Sequence, residues 1–150
     1  MTASIQPSQD AVEAVVTFFE TLTPASLATL PSLYATDARF KDPFNDVRGL
    51  PAISGIFSHM FEALEAPRFV VNERIVQGSQ CFLTWEFRFR FRRFKQGEDQ
   101  VILGGSHLVF DATGRVTLHR DYWDAAEELW ERVPLLGGVL RWLKGRLRVD

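Results

Sequence analysis

The segment Cys81–Phe94 constrains the fold most, because its alternation of apolar and polar residues is too long for a straight strand in a small protein. Such a strand would span about 45 Å, whereas a globular chain of 150 residues is only about 40 Å across. The strand is therefore predicted to bend or twist. Turn signals at 77–78, 96–97 and 112–114 divide the chain after Arg68 into strands joined as hairpins.

The first half of the chain has helical spacing instead. Ser8 is a candidate N-cap for a first helix that ends at Thr23-Pro24. A second, short helix is predicted to begin at residue 24 or 25, with an inner face made of Leu27, Leu30, Leu33 and Tyr34. A short strand over Ala38–Lys41 and a third helix from Gly49 through Glu65 complete this half.

Helices followed by a bent antiparallel meander indicate the α+β class, with the helices packed in the concavity of the sheet. A single domain over 1–150 is predicted, with a core of about 8–124. Helices are also predicted in a C-terminal extension over 125–148. Its last part, Val139–Arg148, is basic and amphipathic, which fits a helix packed on its own domain as a pocket lid, or one that meets an anionic surface.

Charge and cysteine content argue against several classes of function. A formal net charge of -2 gives no field that would attract nucleic acid. One cysteine, Cys81, excludes an internal disulfide and fits a reducing cytoplasm. The histidines show no spacing typical of a metal site, so neither a metal nor another cofactor is predicted. With no secretory leader and no apolar run of ~20 residues, a cytoplasmic protein without integral membrane association is expected.

Two segments resemble the nuclear transport factor 2-like superfamily. The first, Tyr34–Phe44, reads YATDARFKDPF and is followed by Arg48-Gly49. The second, Phe110–Asp124, reads FDATGRVTLHRDYWD and is similar to the last hairpin of ketosteroid isomerases, SnoaL-like polyketide cyclases and limonene epoxide hydrolases. The resemblance covers about residues 10 to 130 and implies a cystatin-like cone with an interior pocket. Because this fold hosts enzymes, binding proteins and interaction modules alike, the resemblance says more about fold than about function.

The resemblance also implies two acids that act on protons. Asp42 stands where the isomerases carry their proton-shuttling base, although an Asp before Pro commonly organises a turn. Asp121 stands in a run similar to the Arg-Asp-Tyr-Phe-Asp of the epoxide hydrolases, where the Asp is an acid/base partner. The alternative for Asp121 is a buried ion pair with Arg88 or Arg120. His119 is a further catalytic candidate, with a packing role as its alternative.

Alternation along the last strand puts His119, Asp121 and Trp123 on one face, which the resemblance turns inward. The isomerases hold an enolate oxygen with two acidic hydroxyl donors, and Phe18 and Ser106 occupy those positions here. Phenylalanine donates no hydrogen bond and a serine hydroxyl is a weak acid, so steroid isomerisation is not expected.

The two faces of the strand 81–94 receive contradictory predictions. Ordinary core packing would bury Trp85 and the alternate phenylalanines after it and would leave Glu86 and Arg88 in solvent. The resemblance predicts the reverse, with Glu86 and Arg88 in the pocket, where the epoxide hydrolases have an Arg-x-Asp pair. Both can hold if a second subunit or the C-terminal helix covers the aromatic face, and a homodimer through the outer face of the sheet is predicted.

The leading hypothesis is a cofactor-independent enzyme that isomerises, cyclises or hydrates a small apolar molecule, with Asp121 and Asp42 as acid and base and His119 as a polar group beside them. Two alternatives remain open: a noncatalytic carrier or sensor of an apolar metabolite, and a protein–protein interaction module. The predicted substrate-binding residues are Phe18, Tyr34, Phe40, Phe44, Ile56, Met60, Glu86, Arg88, Ser106, Leu108, Phe110 and Trp123.

Overall fold

The computed structural model describes residues 9–92, 97–124 and 145, in which helices precede a long run of strands. The elements are α1 (Gln9–Glu20), a 3-10 helix (Pro24–Thr29), α2 (Leu30–Leu33), β1 (Tyr34–Lys41), β2 (Asp46–Arg48), α3 (Leu50–Ala63), β3 (Leu64–Gln77), β4 (Gln80–Phe91), β5 (Gln100–Phe110) and β6 (Val116–Tyr122). Apart from Gly145, the predicted C-terminal extension lies outside the described residues. None of the described helices is long and apolar enough to cross a membrane.

The strands form one sheet in the order β2-β1-β6-β5-β4-β3. Strands β3 to β6 are joined in sequence as antiparallel hairpins, as the turn signals predict, whereas β1 pairs with β6 in parallel. Helix α3 contacts both β1 and β3, which would lie about 19 Å apart in a flat sheet. A helix about 10 Å across reaches both only if the sheet curls around it. The α+β class and the strongly bent sheet are therefore confirmed.

Two strands begin earlier than the sequence predicts, and the first helix ends earlier, at Glu20. β1 starts at Tyr34 rather than at Ala38, so Tyr34 opens a strand instead of lying on the second helix. β3 starts at Leu64, so α3 ends at Ala63 and not at Glu65.

The register of β4 resolves the contradiction between its two faces. Cys81, Leu83, Trp85, Phe89 and Phe91 are buried on the concave side, and Phe87 stacks on Phe69 with ring centroids 4.6 Å apart. Glu86 and Arg88 lie on the opposite face and pair with each other at 3.1 Å. The register taken from the resemblance is therefore wrong for this strand. Burial of large aromatic rings against the helices outweighs any gain from turning two charged side chains inward.

Candidate functional site

A line of hydrogen bonds, here called the polar chain, crosses the concave face of the sheet. The Tyr34 hydroxyl lies 2.6 Å from His119 Nδ1, and His119 Nε2 lies 2.6 Å from Asp121 Oδ1. The Ser106 hydroxyl donates to the same Asp121 oxygen at 2.5 Å and accepts from Trp85 Nε1 at 2.8 Å. Four adjacent strands, β1, β6, β5 and β4, thus contribute to one set of connected polar groups.

Strand alternation and pairing explain why these side chains meet. His119 and Asp121 are two residues apart on β6 and point to the concave side, whereas Arg120 points outward and lies 4.7 Å over the Tyr122 ring. Ser106 stands opposite Asp121 in the β5–β6 pair. The predicted inward face of the last strand is therefore confirmed.

The donors and acceptors of the polar chain indicate where its protons lie. Tyr34 is fully buried, and its burial, followed by the charge of Asp121, raises the pKa of its hydroxyl well above the usual range. The protonated hydroxyl donates to His119 Nδ1, so the ring proton is on Nε2, which donates to Asp121. A doubly protonated His119 would leave the Tyr34 proton without an acceptor among the described residues. The hydrogen bonds therefore make His119 neutral, and they give Asp121 Oδ1 two donors, which an ionised carboxylate accepts.

The two carboxylate oxygens of Asp121 have different surroundings. Oδ1 accepts from both Ser106 and His119. Within the described ranges no hydrogen bond reaches Oδ2, and this atom is not one of the fully buried polar atoms left without a partner. The side chain as a whole is 13% exposed. Oδ2 is therefore the oxygen that remains open to a ligand, while Oδ1 fixes the orientation of the carboxylate.

Asp121 lies where two spaces in the protein meet. The inner chamber has a volume of about 20 Å³, which is room for about one water molecule. Its polar boundary consists of Ser106, His119 and Asp121, and its apolar boundary of Phe19, Phe40, Phe57, Phe69, Val71, Leu83 and Trp85. The outer cavity, about 350 Å³ in volume, also includes Asp121 in its wall. Its size is that of a small-molecule site.

The outer cavity has mainly aromatic walls. Among the described residues that line it, nine have aromatic side chains: Phe40, Phe44, Phe57, Phe69, Trp85, Phe87, Phe89, Phe91 and Trp123. Its polar lining residues are Asp42, Asn45, His59 and Asp121, and no Lys or Arg is found among the described residues that line it. No group of His, Cys, Asp or Glu side chains in the described part of the chain is arranged to hold a metal ion.

Asp42 lines the outer cavity and also organises the turn between β1 and β2. Its Oδ1 accepts from the backbone N–H groups of Phe44 at 2.8 Å and Asn45 at 2.7 Å. The Asn45 amide nitrogen lies 3.1 and 3.2 Å from the two carboxylate oxygens. The turn role considered for Asp42 is thus present in the structure, and it occupies lone pairs that a general base would use.

The structure brings together only part of the predicted binding set. At least one of the two spaces is lined by Phe44, Ile56, Met60, Ser106, Trp123 and Phe40, and Phe40 lines both. Four others, Phe18, Tyr34, Leu108 and Phe110, are buried in the packed core outside both linings. Glu86 and Arg88 were expected as polar anchors, but they lie on the outer face of the sheet, so this expectation is corrected together with the register.

Sequence reasoning missed the aromatic side of β3 and β4, namely Phe69, Trp85, Phe87, Phe89 and Phe91. The signal was present in the strict alternation of β4, but the register implied by the resemblance pointed the other way. The Trp85–Ser106 hydrogen bond was missed for the same reason.

Comparisons with known proteins match most of the chain. A family profile described as the SnoaL-like domain matches residues 15–119. An NTF2-like protein of unknown function from Burkholderia pseudomallei has a TM-score of 0.69 at 17% identity, with 80% of this chain and 95% of the other covered. A protein described as a SnoaL-like polyketide cyclase from Shewanella putrefaciens has a TM-score of 0.66 at 21% identity, with 81% and 97% covered. An LEH-like epoxide hydrolase from M. tuberculosis has a TM-score of 0.66 at 18% identity, with 93% and 96% covered. No curated protein matches the chain.

Proposed function

We propose that this chain, which belongs to the SnoaL-like domain family, is a cofactor-independent enzyme that transfers protons on a small, mostly apolar molecule. Asp121 is its proposed acid/base group. The observation that carries the proposal is the position of this carboxylate, with one oxygen held by Ser106 and His119 and the other open where the two spaces meet. A carboxylate pre-oriented in a mostly apolar cavity is suited to general acid/base work.

The geometry supports a cycle of proton uptake and return at one atom. Oδ2 of the ionised Asp121 takes a proton from the ligand, or from a water molecule in the inner chamber, and the resulting acid returns it at another position. Isomerisation, cyclisation and addition of water all use such a cycle. The two hydrogen bonds to Oδ1 keep the carboxylate in place throughout.

Steroid-type isomerisation has little support at this site. The Ser106 hydroxyl proton is committed to Asp121, and Phe18 lies in the core, so neither position supplies a strong donor to an enolate oxygen. Asp42 is proposed as the second acid of the site, in a supporting role, because its oxygens already hold the turn.

The proposal is tested by comparing Asp121→Asn with the wild-type protein in a screen that needs no known substrate. Candidate small molecules are incubated with protein in D₂O or H₂¹⁸O, and incorporation of deuterium or ¹⁸O is followed by mass spectrometry. Incorporation should fall at least about 100-fold in Asp121→Asn, with the fold retained by circular dichroism. Asp37→Asn, which alters an exposed carboxylate of β1, is the matched control and should behave as wild type.

Incorporation that survives in Asp121→Asn would remove Asp121 from this role. Tight binding of a ligand without incorporation of either isotope would favour the noncatalytic carrier instead.

Self-association through the outer face of the sheet is proposed as well. Among the described residues, large side chains on this face are exposed: Ile75 by 58%, Leu103 by 58% and Tyr122 by 46%. Exposed apolar side chains that lie together favour association with a second subunit. Leu103→Asp should convert a dimer into a monomer in light scattering, and a wild-type monomer would refute the proposal. The free, buried thiol of Cys81 supports a proposed location in the reducing cytoplasm.

A further inference from the structure

In the described part of its lining, the outer cavity contains two carboxylates and no Lys or Arg. Asp42 and Asp121 both line it, and hydrogen-bond accounting makes His119 neutral. The register of β4 sends Arg88 and Arg90 to the other side of the sheet, where they pair with Glu86 and Asp99. The described part of its lining therefore offers no Lys or Arg to neutralise the two carboxylates.

The lack of a Lys or Arg in the described lining matters most for Asp121. Its side chain is 13% exposed, and Oδ2 accepts no hydrogen bond from the described residues. Carboxylates that are largely buried are ordinarily paired with a cation, because an isolated charge loses solvation without compensation. An anionic ligand would add repulsion at this position, whereas a cationic ligand would supply the missing partner.

The aromatic walls favour the same sign of ligand charge. The face of an aromatic ring is negative and attracts cations, most strongly in tryptophan. Trp85 meets Phe69 edge to face at 5.2 Å, and Trp123 meets Phe44 in the same way at 5.5 Å, so each tryptophan is held by a neighbouring ring. Both tryptophans line the outer cavity together with Asp121.

We propose that the ligand of the outer cavity is an organic cation, an alkylammonium group on an apolar frame, whose charge pairs with Asp121 Oδ2. The inference rests on the proposed use of this cavity as the ligand site and names the class of molecule it takes. Alkyl groups on the nitrogen reduce the hydration that must be removed on entry, and they pack against the rings. A carboxylate-bearing ligand is excluded by the same charges.

The test compares two molecules of equal shape that differ in charge. Binding of (4-hydroxyphenyl)trimethylammonium and of its neutral carbon analogue, 4-tert-butylphenol, to the full chain is measured by isothermal titration calorimetry. Both titrations are run at pH 7, where the phenol hydroxyls of the two compounds are mostly protonated, so that the compounds differ in the charge of the trimethylated group alone. The cation should bind about tenfold more tightly or better. In Asp121→Asn this preference should fall to about threefold or less, with little change for the neutral compound.

Two further variants separate charge from folding. Trp123→Leu keeps both carboxylates and should weaken binding of the cation more than binding of the neutral compound. Asp37→Asn should change the affinity for neither compound. Equal or tighter binding of 4-tert-butylphenol by the wild-type protein would overturn the inference, as would no measurable binding of either compound. The first result would leave Asp121-dependent proton transfer on a neutral molecule intact, because isotope incorporation is measured independently.

Discussion

Substitution of Tyr34 by phenylalanine removes one oxygen atom from the polar chain and keeps the volume of the ring. His119 Nδ1 then loses its only hydrogen-bond partner within the described structure, although the imidazole is just 1% exposed. A buried polar atom left without a partner costs about 1–3 kcal/mol. Tyr34→Phe should therefore lower the free energy of unfolding by about this amount at neutral pH.

The same substitution should change how stability depends on alkaline pH. The unfolded chain releases the Tyr34 proton near pH 10, whereas burial raises the pKa of the folded hydroxyl well above this. Above pH 10 the folded state therefore binds more protons at this site, and stability falls as pH rises, by up to about 1.4 kcal/mol per pH unit. Tyr34→Phe lacks this contribution, so the stability gap between the two proteins should narrow between pH 10 and 11.

Urea denaturation at pH 8, 10 and 11 measures both effects. Tyr122→Phe is the matched control, because this tyrosine is 46% exposed on the outer face. Its substitution should change the free energy of unfolding by no more than about 0.5 kcal/mol. A Tyr34→Phe protein that is as stable as the Tyr122→Phe protein at every pH would refute the proton assignment of the polar chain.

The remaining predictions concern backbone positions near the cavity. A Cβ at Gly104 would lie 2.5 Å from the Trp85 ring, so Gly104→Ala should lower the free energy of unfolding by about 1–3 kcal/mol. Gly55→Ala on α3, where nothing lies within 4 Å, should raise it by about 0.5–1 kcal/mol. Equal effects of the two substitutions would contradict the close approach at Gly104. Ala66 has a φ of 50°, so Ala66→Gly should raise the free energy of unfolding by up to about 1 kcal/mol. A lower free energy of unfolding in urea would count against backbone strain at this residue.

Strand β6 shows how much of the site could be predicted from sequence. Its side chains alternate without a bulge from His119 to Asp121, so period two alone puts both on one face. The resemblance indicated that this face is inside, because Leu118 and Tyr122 lie on the other face and the apolar pattern does not select it. The helices α1 and α3 were predictable for the same reason, since the periodicity of their apolar residues is local information.

Contacts between distant segments could not be predicted in this way. Tyr34 reaches His119 only because β1 pairs with β6 in parallel, and no local pattern signals that pairing. The start of β1 at Tyr34 depends on the same long-range contact. In β4 the local pattern was correct, and the register carried over from the resemblance was not, because related folds can place different residues on the same wall.

The central claim is that the open oxygen of Asp121 meets the ligand where the inner chamber and the outer cavity join. A crystal structure of the protein with (4-hydroxyphenyl)trimethylammonium tests it most directly. The account predicts a ligand in the outer cavity with its trimethylammonium group against Oδ2 of Asp121, while Oδ1 keeps its hydrogen bonds to Ser106 and His119. A ligand bound elsewhere, or an Asp121 carboxylate turned away from the cavity, would contradict the account.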